Sequence, residues 1–217
     1  MANNLSAFVL AGGKSTRMGT DKAALELDGR TLLEHALATL RSVAGDVCVD
    51  ICILGSRQLY KDYGVEVIED LFPGCGPLGG IHAALALARA PLNLIIAVDT
   101  PFLSPEFLRR LVQRAAESCA VVTAPEIAGY RQPLCAVYSL DFLPIAEQAL
   151  RSGNYKIVPL FPEGKTLVIT EEQMAVAQAA DAKSADTKPA RFAFNAGMFD
   201  NLNTPQDLER ARRKNKD

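Results

Sequence analysis

Residues 8–22 read Phe8-Val9-Leu10-Ala11-Gly12-Gly13-Lys14-Ser15-Thr16-Arg17-Met18-Gly19-Thr20-Asp21-Lys22. The apolar run Phe8-Val9-Leu10 has the character of a buried strand, and it ends in paired glycines. Glycines at a strand end allow a sharp turn and bring bare N–H groups close to a ligand. Lys14, Arg17 and Lys22 follow. Taken alone, the glycines describe a plain turn with solvated basic residues better. With three cations beyond them, they describe a loop that grips the phosphates of a nucleotide. The stretch is neither a G-x-x-x-x-G-K-[ST] phosphate loop nor a G-x-G-x-x-G dinucleotide turn.

Working outward, strands and helices alternate. Strands are expected at 6–10, 46–54, 65–68, 93–98 and 120–124. Helices are expected at 31–42, where Leu32, Leu33, Ala36, Leu37 and Leu40 share a face, and at 80–89. Ser104-Pro105 opens a further helix, a capping serine followed by proline at the first helical position. Thr204-Pro205 opens the last, over 206–213. Residues 93–98 form a continuous apolar run, as in a central parallel strand. This order implies an α/β fold: a mostly parallel central sheet with helices on both faces, in three layers. Ligands of such sheets sit at the carboxyl ends of the strands. That places the glycine loop and Asp99, each directly after a strand, at one edge. Residues 129–134 read as a turn before an antiparallel strand. Residues 173–190 carry few large apolar side chains and read as a helix or a mobile excursion; a flexible insertion is the expectation there, within one domain spanning 1–217.

Composition bounds the function. The chain has 217 residues, 49% of them hydrophobic, enough for one domain with a real core. A net charge of −2 argues against a broad nucleic-acid surface. No apolar run approaches the roughly 18 residues of a membrane span. The N-terminal segment lacks a basic n-region and reads as no signal peptide, so a cytoplasmic location is expected. The five cysteines then read as reduced thiols. Period two puts Cys48 and Cys52 on one strand face. With no Cys-x-x-Cys and only two histidines, a structural zinc site is not indicated.

Several residues are suited to chemistry. Asp99, after the 93–98 strand, is either a turn or capping aspartate or a Mg²⁺ ligand; Mg²⁺ favours a few carboxylates with phosphate oxygens and water. Arg17 offers a planar fork and Lys22 a flexible point charge for phosphate oxygens. Asp70 precedes an irregular Gly- and Pro-rich loop suited to a base or ribose pocket, and Gly79-Gly80 can approach a ligand closely. His82 reads as a residue facing packing or solvent, not as a catalytic base. Gln132, Lys156 in the 152–156 loop, and Asn201 and Asn203 are candidates for a second substrate.

Leu-Ala-Gly-Gly at 10–13 with Arg17 and Lys22, the 67–85 stretch around Asp70, Val98-Asp99-Thr100-Pro101, Arg131-Gln132-Pro133-Leu134 and Asn201-Leu202-Asn203-Thr204-Pro205 occur in that order. Over roughly residues 5–210 the chain resembles the molybdenum cofactor guanylyltransferase family. The resemblance implies a Rossmann-like nucleotidyltransferase fold. It also implies transfer of GMP from GTP to molybdenum-carrying molybdopterin, with Mg²⁺ as cofactor and pyrophosphate as product. It assigns Leu10, Ala11, Gly12, Gly13, Lys22, Asp70 and Asp99 to the nucleotide, with Arg17, Lys22 and Asp99 catalytic and Asp99 the metal ligand. Gln132, Lys156, Asn201 and Asn203 fall on the pterin side. Other cofactor-biosynthesis proteins or acceptor molybdoenzymes are implied as partners, and neither nucleic acid nor membrane is. Gly12, where related cytidylyltransferases carry alanine, points to guanine. The chain departs from the pattern in lacking an asparagine near Gly55-Ser56, in a 152–156 loop with a single cation, and in the 173–190 insertion. The competing readings are a cytidylyltransferase or sugar-phosphate nucleotidyltransferase, and a nucleotide-binding module without turnover.

Overall fold

The computed structural model describes residues 4–12, 21–45, 48–174, 194–202 and 204–214. Its centre is β1 (Leu5–Leu10), every residue of which is buried. Parallel neighbours β4 (Cys48–Leu54) and β6 (Leu92–Ala97) flank it. β5 (Glu66–Ile68) extends the sheet on one side. On the other side β9 (Cys135–Ser139) runs antiparallel to both β6 and β7 (Val122–Ile127), and β10 (Thr166–Thr170) lies parallel to β7. The order is β10-β7-β9-β6-β1-β4-β5, with β8 (Tyr130–Arg131) folded back on β7. A small hairpin, β2 (Glu26–Leu27) and β3 (Arg30–Thr31), stands apart from this sheet.

The alternation of β1 builds two cores. Leu5, Ala7 and Val9 face one way, under α1 (Leu32–Ala44) and α4 (Pro105–Ala116). Phe8 and Leu10 face the other, under α3 (Pro77–Leu87) and α5 (Leu143–Arg151). The three expected layers follow directly. A short helix α2 (Arg57–Tyr60) follows β4, and the C-terminal α6 (Pro205–Lys214) buries Leu208 and Ala211 against the first core. Ser104 and Thr204 begin their helices as read from sequence, and Thr31 adds a cap that the sequence reading did not name. Thr31 and Glu34 form a reciprocal capping box at α1, the Ser104 hydroxyl accepts from the Phe107 amide, and Thr204 and Asp207 exchange hydrogen bonds at α6.

Several expectations are revised. Helix α3 begins at Pro77, three residues before the expected 80, because Pro77 itself occupies the first turn. The strand expected at 120–124 runs Val122–Ile127. Cys48 and Cys52 lie on opposite faces: Cys48 packs on the first core and Cys52 is buried in the second. The cause is a register shift, in which Leu5 pairs with Cys48 but Ser6 pairs with Asp50. One extra residue in β4 reverses the phase of everything before it. Of the expected insertion at 173–190, the first two residues end a short helical turn with Met174 buried, and the rest lie outside the described residues.

Helix α3 sits close to β1 because Gly80 has no side chain. A Cβ there would run into Leu10 Cδ1, and one on Gly79 would stand 3.0 Å from the Phe72 carbonyl oxygen. These glycines therefore serve packing between helix, strand and the Asp70 loop, where sequence alone suggested approach to a ligand. Gly80→Val is expected to destabilise the fold by about 1–2 kcal/mol, since overpacking a core costs that much even where a flexible Leu tip can yield. Equilibrium denaturation should show a lower midpoint with an unchanged slope.

Candidate active site

Because β1, β4, β5 and β6 are mutually parallel, the segments that follow them emerge at one edge. These are Ala11-Gly12, Gly55-Ser56, Glu69-Asp70 and Val98-Asp99. Gly12 and Gly55 pack backbone to backbone, with a Cβ on Gly12 falling 3.4 Å from Gly55 Cα. Together with Ser56, Glu69, Asp70, Pro73, Gly74 and Gly76 they line a cleft of about 610 Å³, within the range of small-molecule sites.

The nucleotide-side residues hold differing positions around it. Leu10 is buried under α3, so its side chain forms floor rather than a ligand contact. The amides of Ala11 and Gly12 both donate to the Leu54 carbonyl, each at 3.0 Å. The Gly12 amide, expected as an additional phosphate donor, is thus already committed to fixing the turn. Gly13, Lys14 and Arg17 lie outside the described residues.

Lys22 opens a 3-10 turn, Lys22–Ala24, capped by Asp21. Its Nζ lies 3.4 Å from Asp99 Oδ2, and both side chains are about a quarter exposed, at 24% and 23%. Lys22, read from sequence as a phosphate-binding cation, thus stands beside Asp99. The backbone around Asp99 is pinned on both sides: Val98 N donates to Leu10 O at 3.1 Å, and Leu202 N donates to Asp99 O at 2.9 Å. The second bond brings the 194–202 segment, with Asn201, to the edge where Asp99 stands.

Among the described residues no group of three or more His, Cys, Asp or Glu is placed to hold a metal alone. A single carboxylate at an open edge is a poor zinc or calcium site. It does suit Mg²⁺, which keeps several waters and completes its shell with substrate phosphate oxygens. The Asp99 donor set fits that ion.

Asp70 is half-buried, and burial alone holds its carboxyl above the ordinary aspartate value. It makes no hydrogen bond or ion pair with the described residues. A carboxylate kept in such a place accepts hydrogen bonds from a ligand at little cost in broken contacts. His82 is buried with its ring edge-on to Phe72 at 4.9 Å, and burial lowers its pKa. It packs away from the cleft lining, in keeping with its sequence reading.

The pterin-side candidates are spread along the same edge. Gln132 follows β8, and its Nε2 donates to the Tyr130 carbonyl at 3.0 Å. Lys156 is exposed in the loop after α5. Asn201 lines a smaller hollow of about 270 Å³ with Phe102, Asp200, Leu202, Asp207 and Arg210. Asn203 lies outside the described residues, and with it the expectation from period two that Asn201 and Asn203 share one strand face. Sequence reasoning passed over Tyr60, Asp21 and Glu69. Tyr60 carries no motif, Asp21 shows only as the residue before Lys22, and Glu69 only as the neighbour of Asp70.

The profile of the MobA-like NTP transferase domain matches residues 7–162. The chain belongs to that family. Several similar proteins match it over nearly its whole length. A Pelotomaculum thermopropionicum protein named probable molybdenum cofactor guanylyltransferase is 33% identical, over 94% of this chain and 90% of its own. A Desulfosudis oleivorans protein named molybdenum cofactor guanylyltransferase is 32% identical, over 95% of this chain and 94% of its own. The crystal structure of molybdopterin-guanine dinucleotide biosynthesis protein A from Archaeoglobus fulgidus superimposes with a TM-score of 0.77 at 25% identity, covering 97% of this chain and 98% of that one. The MobA-like domain is thus a nucleotidyltransferase of Rossmann-like fold, as the resemblance implied, on the layered α/β sheet that the alternation of elements indicated. No described helix is long and apolar enough to cross a membrane.

Proposed function

We propose that this protein transfers GMP from GTP to molybdopterin carrying molybdenum, forming the guanine dinucleotide of the cofactor and releasing pyrophosphate. The observation that carries this reading is the meeting of Ala11-Gly12, Lys22, Asp70 and Asp99 at one sheet edge. It occurs in a chain that aligns end to end with proteins named molybdenum cofactor guanylyltransferase.

The chemistry asks for what these residues offer. The acceptor is a phosphate monoester, already anionic near neutral pH. Its oxygen attacks the α-phosphorus of GTP, the bond from that phosphorus to the bridging oxygen breaks, and pyrophosphate leaves with the electron pair. Little proton transfer is needed, so the absence of a nucleophile–base pair among the described residues of the edge costs nothing. Alignment and charge neutralisation carry the rate. Asp99 is the residue to hold Mg²⁺, which when bound supplies positive charge to the triphosphate oxygens. Lys22 adds a mobile positive charge beside it, and Arg17 a planar one. The Gly12 turn, locked to Leu54, lets the nucleotide lie close to backbone. Asp70 accepts hydrogen bonds from the guanine edge or the ribose hydroxyls. Gln132, Lys156, Asn201 and Asn203 face the pterin, and the reaction is assigned to the cytoplasm.

Asp70 gives a prediction with two signs. Its carboxyl is easier to protonate in the folded chain than in the unfolded one, so the folded state binds more protons above the ordinary aspartate pKa. The group therefore lowers stability as pH rises through that value. Asp70→Asn is expected to raise the melting temperature slightly at pH 7, to leave it nearly unchanged below the ordinary aspartate range, and to weaken GTP binding. Calorimetric melting and GTP titration check both halves. A variant that melts lower and binds GTP as well as the parent would remove Asp70 from the site.

The function itself is tested by incubating the protein with GTP, Mg²⁺ and molybdenum-loaded molybdopterin and identifying the product by mass spectrometry. A guanine dinucleotide of the pterin is expected. Unchanged pterin beside intact GTP would refute the assignment.

A further inference from the structure

The Tyr60 phenol is 3% exposed, in a short helix that carries no recognisable motif. Its hydroxyl stands 2.8 Å from Asp21 Oδ2 and 3.3 Å from the Ala11 carbonyl oxygen. Ala11 is the last residue before the glycine turn, and Asp21 is the residue before Lys22. One hydroxyl hydrogen therefore lies between two acceptors that bracket the whole 12–20 stretch. The ring is held as firmly as the hydroxyl. A Cβ on Gly55 would stand 2.8 Å from Tyr60 Cε2, so the missing side chain at the cleft wall is the space the ring occupies.

Asp21 is bound at both oxygens. Oδ1 accepts from the Ala23 amide at 3.1 Å and caps the turn Lys22–Ala24, while Oδ2 accepts from Tyr60. An aspartate fixed at both oxygens fixes the backbone that follows, and the next residue is Lys22, whose Nζ meets Asp99. The contacts run without a gap from Tyr60 to Asp21, from Asp21 to the root of Lys22, and from Lys22 to Asp99.

We propose that Tyr60 is a positioning residue for nucleotidyl transfer: its hydroxyl ties the two stems of the glycine loop together and sets the root of Lys22 relative to Asp99. It touches no reacting atom; it acts through Asp21 and Lys22. The inference rests on the functional reading given above. Lys has a long flexible stem and loses much rotational freedom when it is held on a phosphate. Fixing its root in advance removes part of that loss, which is where a buried bridge far from the chemistry affects turnover.

The test is Tyr60→Phe, which keeps the ring against Gly55 and removes only the hydroxyl. The expected result is a loss of about tenfold in kcat/KM for GTP, the size of one hydrogen bond to a charged partner. The KM for the pterin acceptor should be unchanged and the melting temperature within about 3 °C of the parent. In a Lys22→Met background the same change should cost almost nothing further, since the group it positions is gone. A merely structural role would cost the same in both backgrounds and would move both KM values; that result, or parental activity in Tyr60→Phe, overturns the proposal. Should the unsubstituted chain release no pyrophosphate from GTP, the functional reading fails. The affinities of the parent and Tyr60→Phe for GTP with Mg²⁺, measured by calorimetry, still decide the role of Tyr60: weaker binding by the variant supports it and equal binding refutes it.

Discussion

Asp99→Ala is expected to lower turnover by on the order of 10²–10³, the loss seen when one preorganised electrostatic partner of a transition state is removed. The substitution should be almost silent for the fold. The backbone bond from Leu202 N to Asp99 O and the one from Val98 N to Leu10 O do not use the side chain. The ion pair with Lys22 is partly solvated, and such pairs contribute roughly 0–1 kcal/mol. A large loss of rate with an unchanged melting temperature therefore isolates chemistry from stability. Asp99→Asn sharpens the reading, because it keeps an oxygen at the same place and removes the charge. Raising Mg²⁺ should recover part of the activity of the Asn variant and little of the Ala variant. Parental turnover in Asp99→Ala at ordinary Mg²⁺ would remove the metal assignment.

Lys22→Met should lose on the order of a hundredfold in kcat, less than Asp99→Ala because Lys22 shares its task with Arg17. Met keeps the length and apolar stem and removes only the ammonium. With the turn Lys22–Ala24 still capped by Asp21, the main chain has no reason to move. The loss should fall on kcat and on affinity for GTP, and leave the KM for the pterin acceptor alone, since that substrate is assigned to the Gln132, Lys156 and Asn201 side of the edge. Lys22→Arg should recover only part of the loss: a planar fork rooted at the same place cannot put a compact charge on the same oxygen. Steady-state kinetics with each substrate varied in turn measures this. A rise in acceptor KM with kcat intact would place Lys22 on the wrong substrate.

Much of this site is legible in the sequence because parallel sheets impose it. A strand that is apolar throughout, as at Phe8-Val9-Leu10 and Leu94-Ile95-Ile96, is buried on both faces. Whatever follows two such strands is brought to one edge. Asp99 is brought there by the strand Leu92–Ala97, and Lys22, 77 residues earlier, reaches it from the 3-10 turn Lys22–Ala24. What stayed hidden depends on tertiary context. β10 has only Ile169 fully buried of its five residues, so an edge strand lacks the alternation that marks a half-buried one. The extra residue in β4 that parts Cys48 from Cys52 leaves no mark in composition. The Gly12 amide looks free until the Leu54 carbonyl is in place to receive it, and Gly79-Gly80 look like ligand contacts until Leu10 and Phe72 are packed against them. Tyr60 is the plainest case: in Ser56-Arg57-Gln58-Leu59-Tyr60 it is one more aromatic, and only the folded chain brings it to Ala11 and Asp21.

The central claim is that this edge activates GTP toward a pterin phosphate. The measurement that tests it most directly is pyrophosphate release by the purified protein with Mg²⁺ and intact molybdenum-loaded molybdopterin, with GTP, CTP and ATP compared side by side. The account predicts release with GTP and background with the other two. Release with CTP instead would keep the mechanism and overturn the base assignment drawn from Gly12. No release with any of the three, from acceptor shown to be intact, would contradict the account.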